Sequence, residues 1–109
     1  MYTKEFNQFY QYVPERVLII LDEAYFEFAD EIDDYPDSMT YRYDNVITLR
    51  SFSKAYGLGG LRLGYGLAHE DLIENLNKVK APFEPSMPAQ AAGIAALDDN
   101  DFLERTILE

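Results

Sequence analysis

Val17-Leu18-Ile19-Ile20-Leu21 is an unbroken apolar run that ends abruptly in two carboxylates, Asp22-Glu23. A run with no polar alternation predicts a short strand covered on both faces, the kind found inside a layered sheet. Val46-Ile47-Thr48-Leu49 predicts a second strand, and Leu63-Gly64-Tyr65-Gly66-Leu67-Ala68 a third. Two of the three are apolar throughout, which demands covering layers above and below.

The stretches between the strands carry helical signals. Phe6, Phe9, Tyr10 and Val13 repeat at the i, i+3, i+4, i+7 spacing of a helix face; Thr3 is placed to cap it and Pro14 to end it. Residues 26–45 are acidic and tyrosine-rich with a Pro-Asp turn at 36–37, so they read as a surface connection. Leu72, Ile73, Leu76 and Val79 mark another helix. Pro82, Pro85 and Pro88 break the chain, and Pro88 starts an alanine-rich helix over 89–97. A last helix begins at 102. Strands alternating with helices predict an α/β sheet. Because that sheet needs more strands and helices than these, the 109 residues are expected to be part of a larger domain, with no internal boundary.

Charge and composition narrow the function. Twenty acidic against nine basic residues leave a net charge of −11, which repels phosphate backbones and argues against a nucleic-acid partner. It does not exclude a small phosphorylated ligand, where local donors decide. The acidic runs Asp30-Glu31-Ile32-Asp33-Asp34 and Asp98-Asp99-Asn100-Asp101 lack the alternating spacing and closing glutamate of a calcium loop, so both are expected to be solvated loops. With no cysteine and a single His69, read as a strand-end surface residue, no metal site is expected. No run approaches the ~18 apolar residues of a membrane span. Met1-Tyr2-Thr3-Lys4-Glu5 runs straight into an amphipathic pattern, which predicts no signal peptide, no membrane partner and a cytoplasmic protein.

The chemistry concentrates in Ser51-Phe52-Ser53-Lys54-Ala55-Tyr56-Gly57-Leu58-Gly59-Gly60-Leu61-Arg62-Leu63-Gly64-Tyr65. A lysine that attacks a carbonyl must be uncharged part of the time, and Lys54 lies just past a strand among small and hydroxylated residues. Ser51, Ser53 and Arg62 can offer hydroxyls and a guanidinium fork to one phosphate monoester. Strand-end capping for the serines, and an ion pair with one of the many acids for Arg62, would use the same residue types. The glycines follow the lysine, lack Gly-Lys-Ser/Thr and open into a strand, which counts against a nucleotide-binding loop. Upstream, Asp22 at a strand's carboxyl end can reach an α/β crevice, and Tyr25 follows three residues later. A helix cap for Asp22 and core packing for Tyr25 are the alternatives. Glu23 is expected to face solvent or pair with a base.

These two segments resemble the fold-type-I, pyridoxal-phosphate-dependent aminotransferases, and most closely the histidinol-phosphate aminotransferases. There Asp-Glu-Ala-Tyr ends a strand, and Ser-x-Ser-Lys-x-x-Gly-x-x-Gly-x-Arg-x-Gly follows the next. The likeness extends to Val13-Pro14-Glu15-Arg16 and Pro88-Ala89-Gln90-Ala91-Ala92, so residues 1–109 resemble part of the large, cofactor-binding domain. The resemblance implies a three-layer α/β/α fold with a mostly parallel sheet and pyridoxal 5′-phosphate as cofactor. It implies that Lys54 carries the cofactor, Asp22 pairs with the pyridine nitrogen and Tyr25 with the ring phenolate oxygen. Ser51, Ser53 and Arg62 would hold the phosphate. The reaction implied is amino-group transfer from L-histidinol phosphate to 2-oxoglutarate, by a homodimer. A threonine-phosphate decarboxylase or an aromatic aminotransferase would share the lysine segment. The family's ring-contacting asparagine, phosphate loop, small domain and carboxylate-binding arginine have no counterpart in this stretch, so the 109 residues alone are expected to be inactive.

Overall fold

In a computed structural model that describes residues 2–30, 32 and 35–108, three short strands meet in one sheet. The elements in chain order are α1 (Thr3–Tyr10), β1 (Ile19–Asp22), α2 (Phe26–Ala29), β2 (Val46–Ser51), β3 (Gly64–Ala68), α3 (Glu70–Val79), α4 (Met87–Asp98) and α5 (Asn100–Leu108). Single 3-10 turns occupy Ser38–Thr40 and Gly59–Leu61. β2 is central. β1 runs parallel to it from Ile19↔Val46 to Asp22↔Leu49, and β3 antiparallel from Ile47↔Ala68 to Ser51↔Gly64. The class is α/β as expected. Within these three strands the pairing is mixed, one parallel and one antiparallel.

Register decides the faces. Parallel partners point the same way, so Ile19 and Leu21 share a face with Val46 and Thr48. That face is packed: Phe6 of α1, Ile19 and Val46 form the core, joined by Tyr10, Val13, Leu21, Tyr41 and Tyr43. Phe6 stacks on Tyr41 at 4.6 Å between ring centroids, and Tyr10 on Tyr43 at 3.9 Å. The opposite face is open over β1 only, since Ile47 of β2 on that face is buried. Ile20 is 58% exposed against 8% for Ile19, so β1 is covered on one side, not on both. The chain is correspondingly flat, 40 × 39 × 18 Å, with a radius of gyration of 15.5 Å. A compact domain of this length would have about 13 Å.

Several boundaries differ from the sequence reading. Thr3 is the first residue of α1, not its cap; Tyr2 precedes the helix and its N–H donates to Glu5 Oε2 at 2.9 Å. β1 begins two residues later than the apolar run, and β2 continues through Arg50 and Ser51 because β3 pairs with both. Residues 35–43 are not merely a surface connection. Their tyrosines cover Phe6, and Ser38 is buried with its hydroxyl 2.8 Å from Thr48 Oγ1. Aromatic rings with polar tips can serve as core lids, which composition alone does not reveal.

The second acidic run is also more than a solvated loop: Asp99 Oδ1 accepts from Phe102 N–H at 3.1 Å and so caps α5. Glu31, Asp33 and Asp34 of the first run lie outside the described residues. His69 is exposed just past β3 and its Nδ1 accepts from Asp71 N–H at the start of α3. Among the described residues no group of His, Asp or Glu could hold a metal ion, and no helix is long and apolar enough to cross a membrane.

Candidate functional site

Asp22 and Ser51 sit on the same face of the sheet at adjacent strand ends, since Asp22 pairs with Leu49 and Ser51 lies two residues beyond. The polypeptide then leaves both strands in turns. After β1, Asp22 Oδ1 accepts from Ala24 N–H at 3.1 Å, bending the chain toward Tyr25. Asp22 therefore caps a turn and not a helix; Tyr25 is the residue before α2. After β2, Ser51 Oγ accepts from Ser53 N–H at 3.0 Å, and Lys54 C=O accepts from Gly57 N–H at 2.9 Å. Gly57 has φ +68°, a backbone conformation glycine adopts without strain.

The loop that carries Lys54 is anchored from below. Phe52 and Ala55 are buried, with Phe52 against the rings of Tyr56 at 5.0 Å and Tyr65 at 5.8 Å. α4 closes onto the same place: a side-chain carbon at Gly93 would approach Leu63 and Phe52. Lys54 thus stands exposed on a rigid base. Its Nζ lies 5.1 Å from the centroid of the Tyr25 ring, within reach of the ring's negative face. The two sequence segments meet at this contact.

Arg62 supplies the third component. Its Nη1 donates to Gly59 C=O at 2.8 Å and lies 3.4 Å from Ser53 Oγ. Ser51, Ser53 and Arg62 therefore form one hydrogen-bonded chain. Among the described residues Arg62 makes no ion pair with an acid. It also holds a left-handed backbone, φ 53° and ψ 51°, which is strained for any residue with a Cβ. A shallow cavity of about 340 Å³ is lined by Asp22, Glu23, Ala24, Tyr25, Phe26 and Tyr35; Lys54 is outside its lining.

Behind the site, on the packed face, is a charged cluster. Arg50 is 6% exposed; its Nε and Nη2 both donate to Glu23 Oε2, at 3.2 and 3.0 Å, and Nη2 also to Asp37 Oδ1 at 2.8 Å. Its Cζ sits 3.4 Å from the Phe26 ring centroid. Burial on its own would lower the Arg50 pKa, but the hydrogen bond and charge of Glu23, with Asp37 and Tyr65 adding, outweigh it and raise it. Glu23 thus pairs with a base, one of the two outcomes expected. Arg50 itself carries no sequence signal beyond its place at the end of an apolar run.

Comparison with known proteins gives a consistent picture. A family model for class I and II aminotransferases matches residues 2–108. A protein of Carboxydothermus hydrogenoformans named histidinol-phosphate aminotransferase 2 is 47% identical over 105 residues, covering 94% of this chain and 29% of that protein. The histidinol-phosphate aminotransferase of Bacillus subtilis is 48% identical over 101 residues, 91% of this chain and 28% of that protein. The chain therefore spans somewhat under a third of the length of these relatives. Among solved structures, histidinol-phosphate aminotransferase from Sinorhizobium meliloti in complex with pyridoxal-5′-phosphate aligns with a TM-score of 0.88 at 39% identity, over 99% of this chain and 29% of that one. L-threonine-O-3-phosphate decarboxylase from Porphyromonas gingivalis aligns at 0.71 and 26%, over 94% and 31%.

Proposed function

Because the chain belongs to the class I and II aminotransferases, we propose that it is part of the large domain of a pyridoxal-phosphate-dependent enzyme that transfers the amino group of L-histidinol phosphate to 2-oxoglutarate. The observation that carries the reading is the meeting of Lys54 Nζ with the Tyr25 ring at 5.1 Å, beside the linked Ser51, Ser53 and Arg62. The donor set fits the cofactor. Two hydroxyls and a guanidinium suit a phosphate monoester, a carboxylate suits a protonated ring nitrogen, and a phenol suits a ring oxygen. When bound, pyridoxal phosphate supplies the electron sink that lets a carbon–hydrogen bond of an amino compound ionise.

The residues of this chain divide the remaining work. Ser51, Ser53 and Arg62 bind the phosphate and so fix the ring's position. Asp22, on the same face, holds a proton at the pyridine nitrogen by charge and hydrogen bond. Tyr25 donates its hydroxyl to the ring oxygen. Lys54 would hold the cofactor through its amine and, with that amine free, would take up the proton that leaves the amine-bearing carbon of the substrate. By the same family resemblance the full-length protein is a cytoplasmic homodimer. Exposed apolar side chains such as Phe83, Met87 and Leu108 are in keeping with further protein surface covering this stretch.

A decarboxylase acting on L-threonine-O-3-phosphate is the second reading, supported by the Porphyromonas gingivalis likeness. The higher identity and TM-score of the Sinorhizobium meliloti enzyme favour transamination. Borohydride reduction of the cofactor-loaded full-length protein should fix the cofactor on Lys54, with glutamate formed from 2-oxoglutarate and L-histidinol phosphate. Label on Lys78 or Lys80 would sink the site assignment; carbon dioxide released from L-threonine-O-3-phosphate would select the second reading.

A further inference from the structure

The parallel ladder between β1 and β2 closes with Glu23 N–H donating to Leu49 C=O at 2.9 Å. Beyond that rung, among the described residues, no backbone hydrogen bond joins the loop bearing Tyr25 to the loop bearing Lys54. Yet the proposed chemistry needs those loops held at a fixed spacing. The next register position places Glu23 opposite Arg50, one step past Asp22↔Leu49. Their side chains point away from the face of Asp22 and Ser51 and meet on the packed side of the sheet.

We propose, on the cofactor reading above, that Arg50, Glu23 and Asp37 are positioning residues. The buried Arg50–Glu23 ion pair, with the more exposed Asp37 at its edge, acts as a further rung that sets the distance between the Asp22–Tyr25 and Ser51–Lys54 segments. Three features fit this role. Glu23 lies between the two residues of one segment, and Arg50 directly precedes the other. Two guanidinium nitrogens bind a single Glu23 oxygen, and the Phe26 ring lies against the guanidinium carbon, so the pair tolerates little rotation or sliding. Asp37 Oδ1 accepts from both Arg50 and Met39 N–H at 3.0 Å, which ties the 35–40 loop to the same point.

The choice of charged groups is itself informative. A buried ion pair is often no more stabilising than well-packed apolar residues of the same volume. What an apolar pair lacks is direction: it would fill the space without fixing the angle at which the two loops depart.

The test is the double variant Glu23→Leu/Arg50→Met in the full-length protein, which removes the buried pair together; Asp37, 40% exposed, loses Arg50 but keeps Met39 N–H and solvent as partners. Expected is an apo-protein melting temperature close to that of the unsubstituted protein, with borohydride label still on Lys54. Cofactor Kd should rise on the order of 10- to 100-fold, as for a misplaced binding group. The pH at which the bound cofactor's absorption band shifts should move, and kcat should fall with KM little changed. Unaltered Kd together with an unaltered absorption pH would overturn the proposal, whatever the melting temperature. Should the double variant fail to fold, Arg50→Lys decides. It keeps the charge but not the fork, and unaltered cofactor Kd and absorption there would equally overturn it. Loss of both with normal apo melting would support it. Absence of label from Lys54 in the unsubstituted protein would overturn the cofactor reading, and this one with it.

Discussion

Replacing Arg62 by glycine and, separately, by alanine distinguishes what its backbone costs from what its side chain does. Arg62 sits at φ 53°, ψ 51°, where an L-residue is unfavourable by roughly 1–2 kcal/mol. Alanine keeps that strain. Glycine relieves it, but its freer unfolded chain costs about 0.4–1 kcal/mol in return. The glycine variant should therefore be more stable than the alanine variant by about 0.5–1 kcal/mol, the difference of the two effects. Both lose the guanidinium bonds to Gly59 C=O and Ser53 Oγ. If Arg62 binds the cofactor phosphate, both also lose a charge-assisted hydrogen bond of about 1.5–3 kcal/mol, which is roughly a 10- to 150-fold rise in cofactor Kd. Urea unfolding of the apo full-length protein measures the first quantity and absorbance titration with pyridoxal phosphate the second. Arg62→Lys should retain part of the affinity, because it keeps the charge without the planar fork. Equal stability of the glycine and alanine variants would refute the left-handed strain. Unchanged cofactor affinity in both would refute the phosphate role.

Two further outcomes follow from the same geometry. Asp22→Asn should leave the fold and much of the cofactor binding in place while lowering kcat by tenfold or more, since the lost charge-assisted interaction of about 1.5–3 kcal/mol is felt most as the substrate carbanion develops; near-unchanged turnover would leave Asp22 only as the partner of Ala24 N–H. Tyr56 and Tyr41 have pKa values raised above 10.0, Tyr56 by burial and then by Glu27 and Tyr65, Tyr41 chiefly by burial, with nearby Thr3 acting the other way and Glu23 and Tyr43 adding to the rise. A raised folded pKa gives stability that is fully present below the unfolded value and lost as pH rises through the folded one. The melting temperature should therefore fall as pH climbs above 10.0, with tyrosine absorbance changing in step and Tyr56→Phe flattening the slope; ionisation of these tyrosines without loss of stability would contradict the assignment.

Local pattern was enough to read strands at 17–21 and 46–49, which the structure places at Ile19–Asp22 and Val46–Ser51, and an alanine-rich helix over 89–97, because burial and chain stiffness act over a few residues. That helix begins at Met87, with Ser86 rather than Pro88 at its start. The motif segments were legible for the same reason: Asp22 with Tyr25, and Ser51, Ser53, Lys54 and Arg62, lie close in sequence and their types state a chemistry. Their separation along the chain, more than twenty residues between Tyr25 and Ser51, left open whether they meet. The contact between Lys54 and Tyr25 is a product of strand register, as is the common face of Asp22 and Ser51. So are the pairing of Arg50 with Glu23 and Asp37, 27 and 13 residues away, and the tyrosine lid over Phe6. The apolar run stated how much of β1 wants covering but not which side receives it; the packed face holds Ile19 and the open face Ile20. The physical reason is one of range. Hydrophobic period and turn chemistry act between neighbours along the chain, whereas an ion pair, a stacked ring or a shared sheet face exists only after distant segments have been brought to a definite register.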